Sequence, residues 1–395
     1  MSQQDPIVIT SIARTPMGGM QGMLSPFSAS QLGAATIKAA VERSGLLPAD
    51  VEEVIMGNCL PAGQGQAPAR QAVRGAGLPD AVGATTINKM CGSGMKAIML
   101  AHDLIKAGSA KVMVAGGMES MTNAPYLLLK ARGGYRYGHA TMYDHTAMDG
   151  LEDAYERGTA MGVFAERTVE KYGFTRKEQD DYAIESLVRA KRANEDGSFA
   201  FEIVPMEVQG KAGLEKIDKD EQPAKGKPEK IPSLKPAFKK DGTITAANAS
   251  SISDGAAAVT LMAQSEATKR GIKPLAKIVA HAAHSRLPAE FTIAPVTAIS
   301  DVLSKAGWKV GDVDLWEINE AFAVVTMAAM KEHKLDHAKV NVHGGACALG
   351  HPIGASGARI VATLIGALKK TGGKKGVATL CIGGGEAVAL AIEML

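Results

Sequence analysis

Two residues with complementary chemistry occupy similar positions in separate parts of the chain. Cys91 follows the β-prone stretch GATTINKM and precedes three small residues and a helix-like segment that starts near Met95. A thiol just before a helix faces unpaired N–H groups and the positive end of the helix dipole, so we expect a stabilised thiolate. His351, between Gly350 and Pro352, also precedes a helix-like segment. A histidine beside a cysteine is the minimal arrangement for an activated sulfur nucleophile.

Two more side chains and a glycine-rich turn extend this pair. Cys381 ends an apolar, strand-like run, and the three glycines behind it leave backbone N–H groups free to bind a developing negative oxygen. Asn319 lies ahead of another helix-like segment, where it either caps the helix or holds a polar atom in the site. Taken alone, a cysteine is usually a small buried hydrophobe, and a histidine in a Gly/Pro turn is usually structural. Taken together, two thiols, an imidazole and an amide favour acyl transfer over redox chemistry or hydrolysis.

The chain contains an internal repeat that would bring these residues together. Three pairs of segments match in the same order: DVEEVIMGN (50–58) with DVDLWEIN (312–319), SGMKAIMLAHDLIKAG (93–108) with SGARIVATLIGALKKTG (356–372), and KVMVAGGMES (111–120) with GVATLCIGGGEA (376–387). Strand-like runs alternate with helix-like ones in both copies, so the repeat predicts a duplicated α/β unit. If the two copies pack as a pseudo-dimer, the helices after Cys91 and His351 point their N-termini at a shared centre.

Residues 121–248 differ in character from both copies. They contain the tyrosines, a helix-like stretch from Thr175 to about Asp196, and the Lys- and Pro-rich stretch 216–240. This last stretch is polar and broken by prolines, which predicts a loop rather than core. It is either a solvated linker or a lid whose lysines meet an anionic substrate.

Composition excludes several classes of protein. Of 395 residues, 46% are hydrophobic and 22% are charged, as in ordinary soluble globular proteins, and the length predicts two or three domains. A net charge of +3 without basic tracts argues against a nucleic-acid partner. No apolar run approaches the roughly 18 residues of a membrane helix, and we recognise no signal or transit pattern. The four cysteines lie far apart without metal-ligand spacing, so we expect free thiols, no metal site and a cytoplasmic protein.

These residues carry a resemblance to the thiolase family and, within it, to the acetyl-CoA acetyltransferases. Four short signatures occur in family order: Cys91-Gly92-Ser93, Asn319-Glu320-Ala321-Phe322, Gly350-His351-Pro352 and Cys381-Ile382-Gly383. The likeness covers essentially the whole chain. Agreement of four separate parts is specific, whereas any single part would be weak evidence.

The resemblance implies a role for each matching residue. Cys91 would take the acyl group as a thioester after activation by His351, and Cys381 would remove the α-proton of a second acetyl-CoA. Asn319 would hold a water that, with the His351 ring, stabilises the enolate oxygen. The backbone N–H groups of Cys91 and Gly383 would form a second oxyanion hole.

The resemblance also extends to the substrate side, where three positions depart from it. Ser250 matches a serine that contacts the pantetheine arm, and Met161 matches a methionine that lines the acyl pocket. Ala160 stands where a histidine is common, while Ser251 and Ser253 replace a glycine and an asparagine. We expect these departures to affect acyl preference and not the reaction class.

The implied fold is the α/β thiolase fold, a duplicated five-layer α-β-α-β-α core with an inserted loop domain. Residues 1–120 with 249–272 would form the first half, 121–248 the inserted lid and tetramerisation domain, and 273–395 the second half. The implied activity is the reversible condensation of two acetyl-CoA to acetoacetyl-CoA and CoA, by a ping-pong mechanism, with CoA as substrate and no cofactor. The segment 132–150 falls where tetrameric members make contact, so we expect a homotetramer.

Other functions stay open at this point. A degradative 3-ketoacyl-CoA thiolase would use the same residues with a roomier pocket. A ketosynthase would lack Cys381, a non-catalytic acyl-CoA binder would have lost a catalytic side chain, and a peptidase built on Cys91 and His351 would not explain the repeat. Cys59 and Cys347 match no role, and we expect them to pack in the interior. The candidates for contact with the CoA phosphates are Lys225, Lys227, Lys230, Lys235 and Lys239.

Overall fold

Strands and helices alternate along most of the chain. The computed structural model describes residues 5–210 and 213–395. The strands are β1 (Ile7–Arg14), β2 (Gly18–Gly19), β3 (Glu53–Gly57), β4 (Gly83–Ile87), β5 (Val112–Ser120), β6 (Tyr126–Leu128), β7 (Met142–Asp144), β8 (Met206–Gly210), β9 (Gly213–Ile217), β10 (Ser253–Ala263), β11 (Ala276–Ser285), β12 (Leu315–Ile318), β13 (Lys375–Ile382) and β14 (Glu386–Met394). The helices are α1 (Ala29–Ser44), α2 (Pro68–Gly75), α3 (Ser93–Lys106), α4 (Met161–Tyr172), α5 (Arg176–Glu195), α6 (Glu221–Lys225), α7 (Gln264–Arg270), α8 (Ala294–Ala306), α9 (Ala323–His333), α10 (Ala346–Leu349) and α11 (Ile353–Thr371). Within the described ranges, none of these helices has the length and apolar character needed to cross a membrane.

The repeat in the sequence is a repeat in sheet topology. In the first half, β3 lies parallel between β4 and β5, and β10 and β1 follow in antiparallel order. In the second half, β12 pairs in parallel with β13, and β14 and β11 follow in antiparallel order. Val340 forms a parallel bridge to Trp316 at the place that β4 has in the first half. A short antiparallel contact between β1 and β11 joins the two halves into one sheet.

Helices α3 and α11 form the middle of five layers. Both belong to one hydrophobic cluster with residues from each half of the sheet, and α11 is buried along residues 353–368. The two helices approach closely because a Cβ on Gly94 would lie 2.8 Å from the Ala358 nitrogen, and one on Gly357 would lie 2.5 Å from the Met95 nitrogen. Helices α1 and α2 cover the outer face of the first half, and α8 and α9 cover that of the second. The predicted duplicated five-layer core is therefore confirmed.

The chain leaves the sheet between β5 and β10 and forms β6 to β9 and α4 to α6. Helix α5 begins after a capping box between Thr175 and Glu178, which confirms the helix predicted there. The Lys- and Pro-rich stretch is not a free linker, because Asp220 is 1% exposed and pairs through both oxygens with buried Arg14, at 2.7 and 2.9 Å. Two-pronged charged hydrogen bonds of this kind fix geometry, so this stretch is anchored beside β1.

Candidate active site

Cys91 lies in a tight turn between β4 and α3. Met90 adopts a left-handed conformation with φ of +47°, and a Cβ on Gly92 would lie 2.4 Å from a side chain at the end of β13. The Ser93 hydroxyl accepts a backbone N–H at 2.8 Å and donates to the Met90 carbonyl at 2.6 Å, which closes the turn. The small residues after the cysteine therefore let the second half of the protein approach the thiol.

The expected stabilised thiolate is wrong for the free enzyme. Burial raises the pKa of the Cys91 thiol to about 11, although hydrogen bonds from the backbone N–H groups of Gly383 and of Cys91 itself lower it. Desolvation thus outweighs the N–H groups that the sequence predicted. The same contacts show that the N–H group of Gly383, from the second half, lies within reach of the sulfur.

His351 has one ring nitrogen engaged and the other free. Its Nδ1 lies 2.5 Å from the Ser356 hydroxyl, which itself donates to the Pro352 carbonyl at 3.0 Å. Because a hydroxyl has a single proton, this one accepts from Nδ1–H, which leaves a lone pair on Nε2. Nε2 is buried without a hydrogen-bond partner among the described residues. Burial and the charge of Arg359 lower the pKa of His351 to about 3, so the ring is neutral and can accept a proton.

Cys381 and Asn319 are buried beside these groups. Burial, and then the charge of nearby Cys91, raise the pKa of Cys381 well above its ordinary range. Asn319 does not cap α9, whose cap is Phe322. Its amide Nδ2 has no partner among the residues described, and its Oδ1 accepts a long hydrogen bond of 3.4 Å from Arg359. The amide donor is therefore unpaired in the described part of the chain.

A cavity of 440 Å³ lies against Cys91, His351 and Gly383. Ser250 and Met161 also line it, and a Cβ on Gly383 would lie 3.6 Å from the Met161 sulfur. The structure thus brings five of the seven predicted site residues to one cavity. The remaining two, Cys381 and Asn319, do not line it.

Two of the departures from the family pattern support the His351 turn. The Ser251 carbonyl accepts the His351 N–H at 3.1 Å and the Ser253 hydroxyl at 2.9 Å. Buried Ser253 also occupies the space that a Cβ on Gly350 would need, at 2.1 Å. Ser251 also lines the cavity, as expected of a residue on the substrate side, and both serines contact the histidine turn as well. Their effect on acyl preference stays a prediction. Ala160 lines the cavity too.

Glu119 was not among the predicted site residues. Its carboxylate is fully buried and accepts the backbone N–H groups of Gly354 at 2.8 Å, Cys59 at 2.9 Å and Leu60 at 3.1 Å. Burial raises its pKa to about 7 despite these donors. Glu119 therefore ties the loop after β3, with its buried cysteine, to the helix that follows His351. The repeat contained a signal, since a glutamate follows glycines in both copies.

A second cavity, of 330 Å³, adjoins the first and shares two lining residues with it. Lys225, Lys227 and Lys230 line this second cavity. Cys347 lines it too and is therefore only partly buried, where full interior packing was expected. Lys239 pairs instead with a glutamate of α4. Three of the five candidate lysines therefore lie next to the catalytic cavity.

The duplicated α/β fold, with a cysteine and a neutral histidine at one cavity, defines an acyl-transferring enzyme. Family models of the thiolase N-terminal domain and the thiolase C-terminal domain match residues 7–265 and 272–394. The chain therefore belongs to the thiolase family, as its four signatures indicated.

Individual relatives match over nearly their whole length. The chain is 50% identical over 392 residues to acetyl-CoA acetyltransferase 2 of Arabidopsis thaliana, covering 98% of this chain and 97% of that protein. The Acat5 thiolase of Ascaris suum, solved in complex with coenzyme A, superposes with a TM-score of 0.93 at 44% identity, over 99% of this chain and 100% of that one. The acetyl-CoA acetyltransferase of Bacillus anthracis superposes with a TM-score of 0.96 at 43% identity, over 100% of both chains.

Proposed function

We propose that the protein is an acetyl-CoA C-acetyltransferase, which condenses two acetyl-CoA to acetoacetyl-CoA and CoA and catalyses the reverse thiolysis. The observation that carries the proposal is the meeting of Cys91, the free Nε2 of His351 and the N–H group of Gly383 at one cavity. The names of the relatives, and the coenzyme A bound to one of them, support a CoA thioester as the substrate.

The first half-reaction transfers an acetyl group to Cys91. Because the thiol holds its proton in the free enzyme, the proton moves to Nε2 of His351 as the sulfur attacks the thioester carbonyl. The N–H groups of Cys91 and Gly383 stabilise the negative oxygen, and one such donor is typically worth about 3 to 4 kcal/mol. The carbon–sulfur bond to CoA then breaks, and the departing sulfur takes the proton of Cys381.

The second half-reaction forms the carbon–carbon bond. The Cys381 thiolate removes the α-proton of a second acetyl-CoA, and its raised pKa makes it a strong base for this weakly acidic proton. The charged His351 ring and a water held by the Nδ2 amide of Asn319 stabilise the enolate oxygen. The enolate carbon attacks the acetyl group on Cys91, whose sulfur leaves and recovers its proton from His351.

The two adjoining cavities divide the recognition of CoA between them. Ser250 and Met161 line the catalytic cavity and contact the pantetheine arm and the acyl group. In the second cavity, Lys225, Lys227 and Lys230 supply positive charge for the CoA phosphates. This placement supports the interpretation of the inserted segment as a lid with an anionic substrate.

The protein acts as a cytoplasmic homotetramer. The β6–β7 hairpin supports the assembly, because it exposes apolar side chains that a monomer would leave in water: Tyr126 is 66% exposed, Leu128 45% and Met142 67%. The four free cysteines support a reducing compartment.

Thiolysis of acetoacetyl-CoA by free CoA tests the proposed activity, with loss of the magnesium-enolate absorbance as the readout. We expect rapid turnover by the wild type and a rate about 10² to 10⁴ lower for Cys381→Ala, the range of general acid–base catalysis. Cys347→Ala is the matched control and should keep the wild-type kcat, because this thiol lines the second cavity and not the catalytic one. Substrate that binds tightly and is not consumed would leave only an acyl-CoA binding protein.

Chain length separates the proposal from its enzyme rival. If the wild type turns over longer 3-ketoacyl-CoA substrates faster than acetoacetyl-CoA, the mechanism stands and the protein is a degradative 3-ketoacyl-CoA thiolase.

A further inference from the structure

Three metal-binding side chains meet far from the catalytic cavity. His102 and Asp103 lie on α3, about three turns beyond Cys91. His281 lies on β11 in the second half of the chain. One potential ligand atom from each residue lies within 4.8 Å of the other two. The sequence contained no signal of this, because His281 is 178 residues from Asp103.

The geometry of the cluster is close to that of a metal site. Asp103 Oδ1 lies 2.9 Å from His102 Nδ1 and 2.9 Å from His281 Nε2, and the two imidazole rings stand edge to face with centroids 5.1 Å apart. Ligand bonds of about 2.0 to 2.2 Å place two tetrahedral ligands roughly 3.3 Å apart. Two of the three ligand–ligand distances are therefore within a few tenths of an ångström of the spacing in a tetrahedral site.

The surroundings leave room for an ion and a further ligand. The three residues line a surface cleft of 970 Å³. Lys106, Lys277 and Lys305 line the same cleft and oppose a bound cation. The charge of Lys277 is offset, because it pairs with a glutamate of β14 at 2.9 Å. Lys305 is held by the His281 carbonyl at 3.2 Å, so its ammonium group has a fixed hydrogen-bond partner beside the cluster.

We propose that His102 Nδ1, a carboxylate oxygen of Asp103 and His281 Nε2 bind a divalent transition-metal ion of the Zn²⁺ type, with a fourth position open to the cleft. Two imidazoles and one carboxylate suit such ions. On binding, each ring carries its proton on the other nitrogen, so the metal replaces two N–H···O bonds without net proton release. The ion ties the helix that follows Cys91 to β11 of the second half.

Metal titration of the full-length protein after removal of metals by a chelator tests this site, with Zn²⁺ followed by calorimetry and Co²⁺ by absorbance. We expect one ion per chain and a Co²⁺ spectrum without a thiolate charge-transfer band. His281→Gln and Asp103→Asn should each weaken metal binding by about 100-fold. Loss of a residue that only supports a ligand weakens metal binding by about 10- to 100-fold, and we expect loss of a ligand to reach the upper end of that range. His284→Gln is the matched control, because His284 also lies on β11 but pairs with Asp301 at 3.7 Å. Its binding should equal that of the wild type.

Thiolysis rates provide the check on folding, because the cluster lies outside the catalytic cavity. Both variants should retain the wild-type rate. The proposal fails if no stoichiometric binding occurs, if His281→Gln binds as the wild type does, or if a cobalt–thiolate band places the ion on the cysteines.

Discussion

Ser356 is the residue whose removal tests the catalytic geometry most selectively. Ser356 does not line the catalytic cavity, but its hydroxyl accepts a hydrogen bond from His351 Nδ1 at 2.5 Å. Ser356→Ala removes the group that holds the proton on Nδ1 and the lone pair on Nε2. The variant therefore probes a positioning residue and leaves Cys91, Cys381 and the oxyanion donors in place.

The magnitude follows from burial. His351 is 5% exposed, so Nδ1 finds little water to replace the hydroxyl. A buried polar group left without its partner costs about 1 to 3 kcal/mol. If that cost falls on the transition state, kcat decreases by roughly 5- to 150-fold. KM for acetoacetyl-CoA should stay near the wild-type value, because the hydroxyl does not line the cavity.

Steady-state thiolysis measures this effect, and urea unfolding separates it from simple destabilisation. Ser300→Ala is the matched control. It also removes a hydroxyl that bonds to the carbonyl four residues earlier in a helix, but at an exposed position of α8 and without a histidine. It should leave kcat unchanged. A kcat for Ser356→Ala within twofold of the wild type, in a protein of normal stability, would refute the assignment of the His351 tautomer.

Three further predictions follow from other parts of the structure. Gly117→Ala places a Cβ 2.0 Å from the Gly354 carbonyl, where β5 meets α11, and should lower the free energy of unfolding by about 3 kcal/mol, the upper range for overpacking. Burial lowers the pKa of His343 to about 4 from an ordinary 6.5, so the folded state excludes a proton that the unfolded state binds. The free energy of unfolding therefore decreases as pH falls below about 6.5. Urea titrations at about pH 7.5 and pH 5 should show this decrease smaller by about 2 kcal/mol in His343→Asn than in the wild type. Lys227→Ala combined with Lys230→Ala should raise KM for CoA about tenfold at unchanged kcat, as expected for two partly screened contacts.

Each of these predictions has its own control. Gly311→Ala should be nearly neutral, because no atom lies within 4 Å of the added Cβ, and equal destabilisation by both alanines would contradict the close approach of β5 and α11. An unchanged pH slope in His343→Asn would show that this ring is not the group that titrates. Lys239→Ala, on a lysine already paired with a glutamate, should leave KM unaltered.

The repeat and the four signatures predicted the fold and the meeting of Cys91, His351 and Gly383 at one cavity, because both rest on local pattern. Alternating strands and helices in matching order gave β3, α3 and their counterparts β12 and α11. Contacts between distant parts of the chain carry no such local signal. Ser356 and Glu119 act by meeting a ring or a backbone N–H from another segment, and the cluster of His102 with His281 exists only after the halves pack.

The local sequence pattern also did not reveal how deeply each side chain is buried, which sets the direction of its pKa shift. The helix N-terminus at Cys91 predicted a thiolate, but desolvation reverses the direction of the pKa shift. The contacts of Ser251 and Ser253 with the His351 turn could not be predicted for a related reason, since only the folded chain brings these segments together. The division of the chain into 1–120 with 249–272, 121–248 and 273–395 stays a prediction.

The most direct test of the catalytic mechanism is to locate the acetyl group on the enzyme. The enzyme is mixed with labelled acetyl-CoA, and the reaction is stopped before a second acetyl-CoA condenses with the bound acetyl group. Peptide mapping after rapid acid quenching should place one acetyl group per chain on Cys91, in the wild type and in Cys347→Ala, and none on any residue in Cys91→Ala. Label on Cys381 or Cys347, or a wild-type protein that stays unlabelled while it turns over acetoacetyl-CoA, would contradict the account.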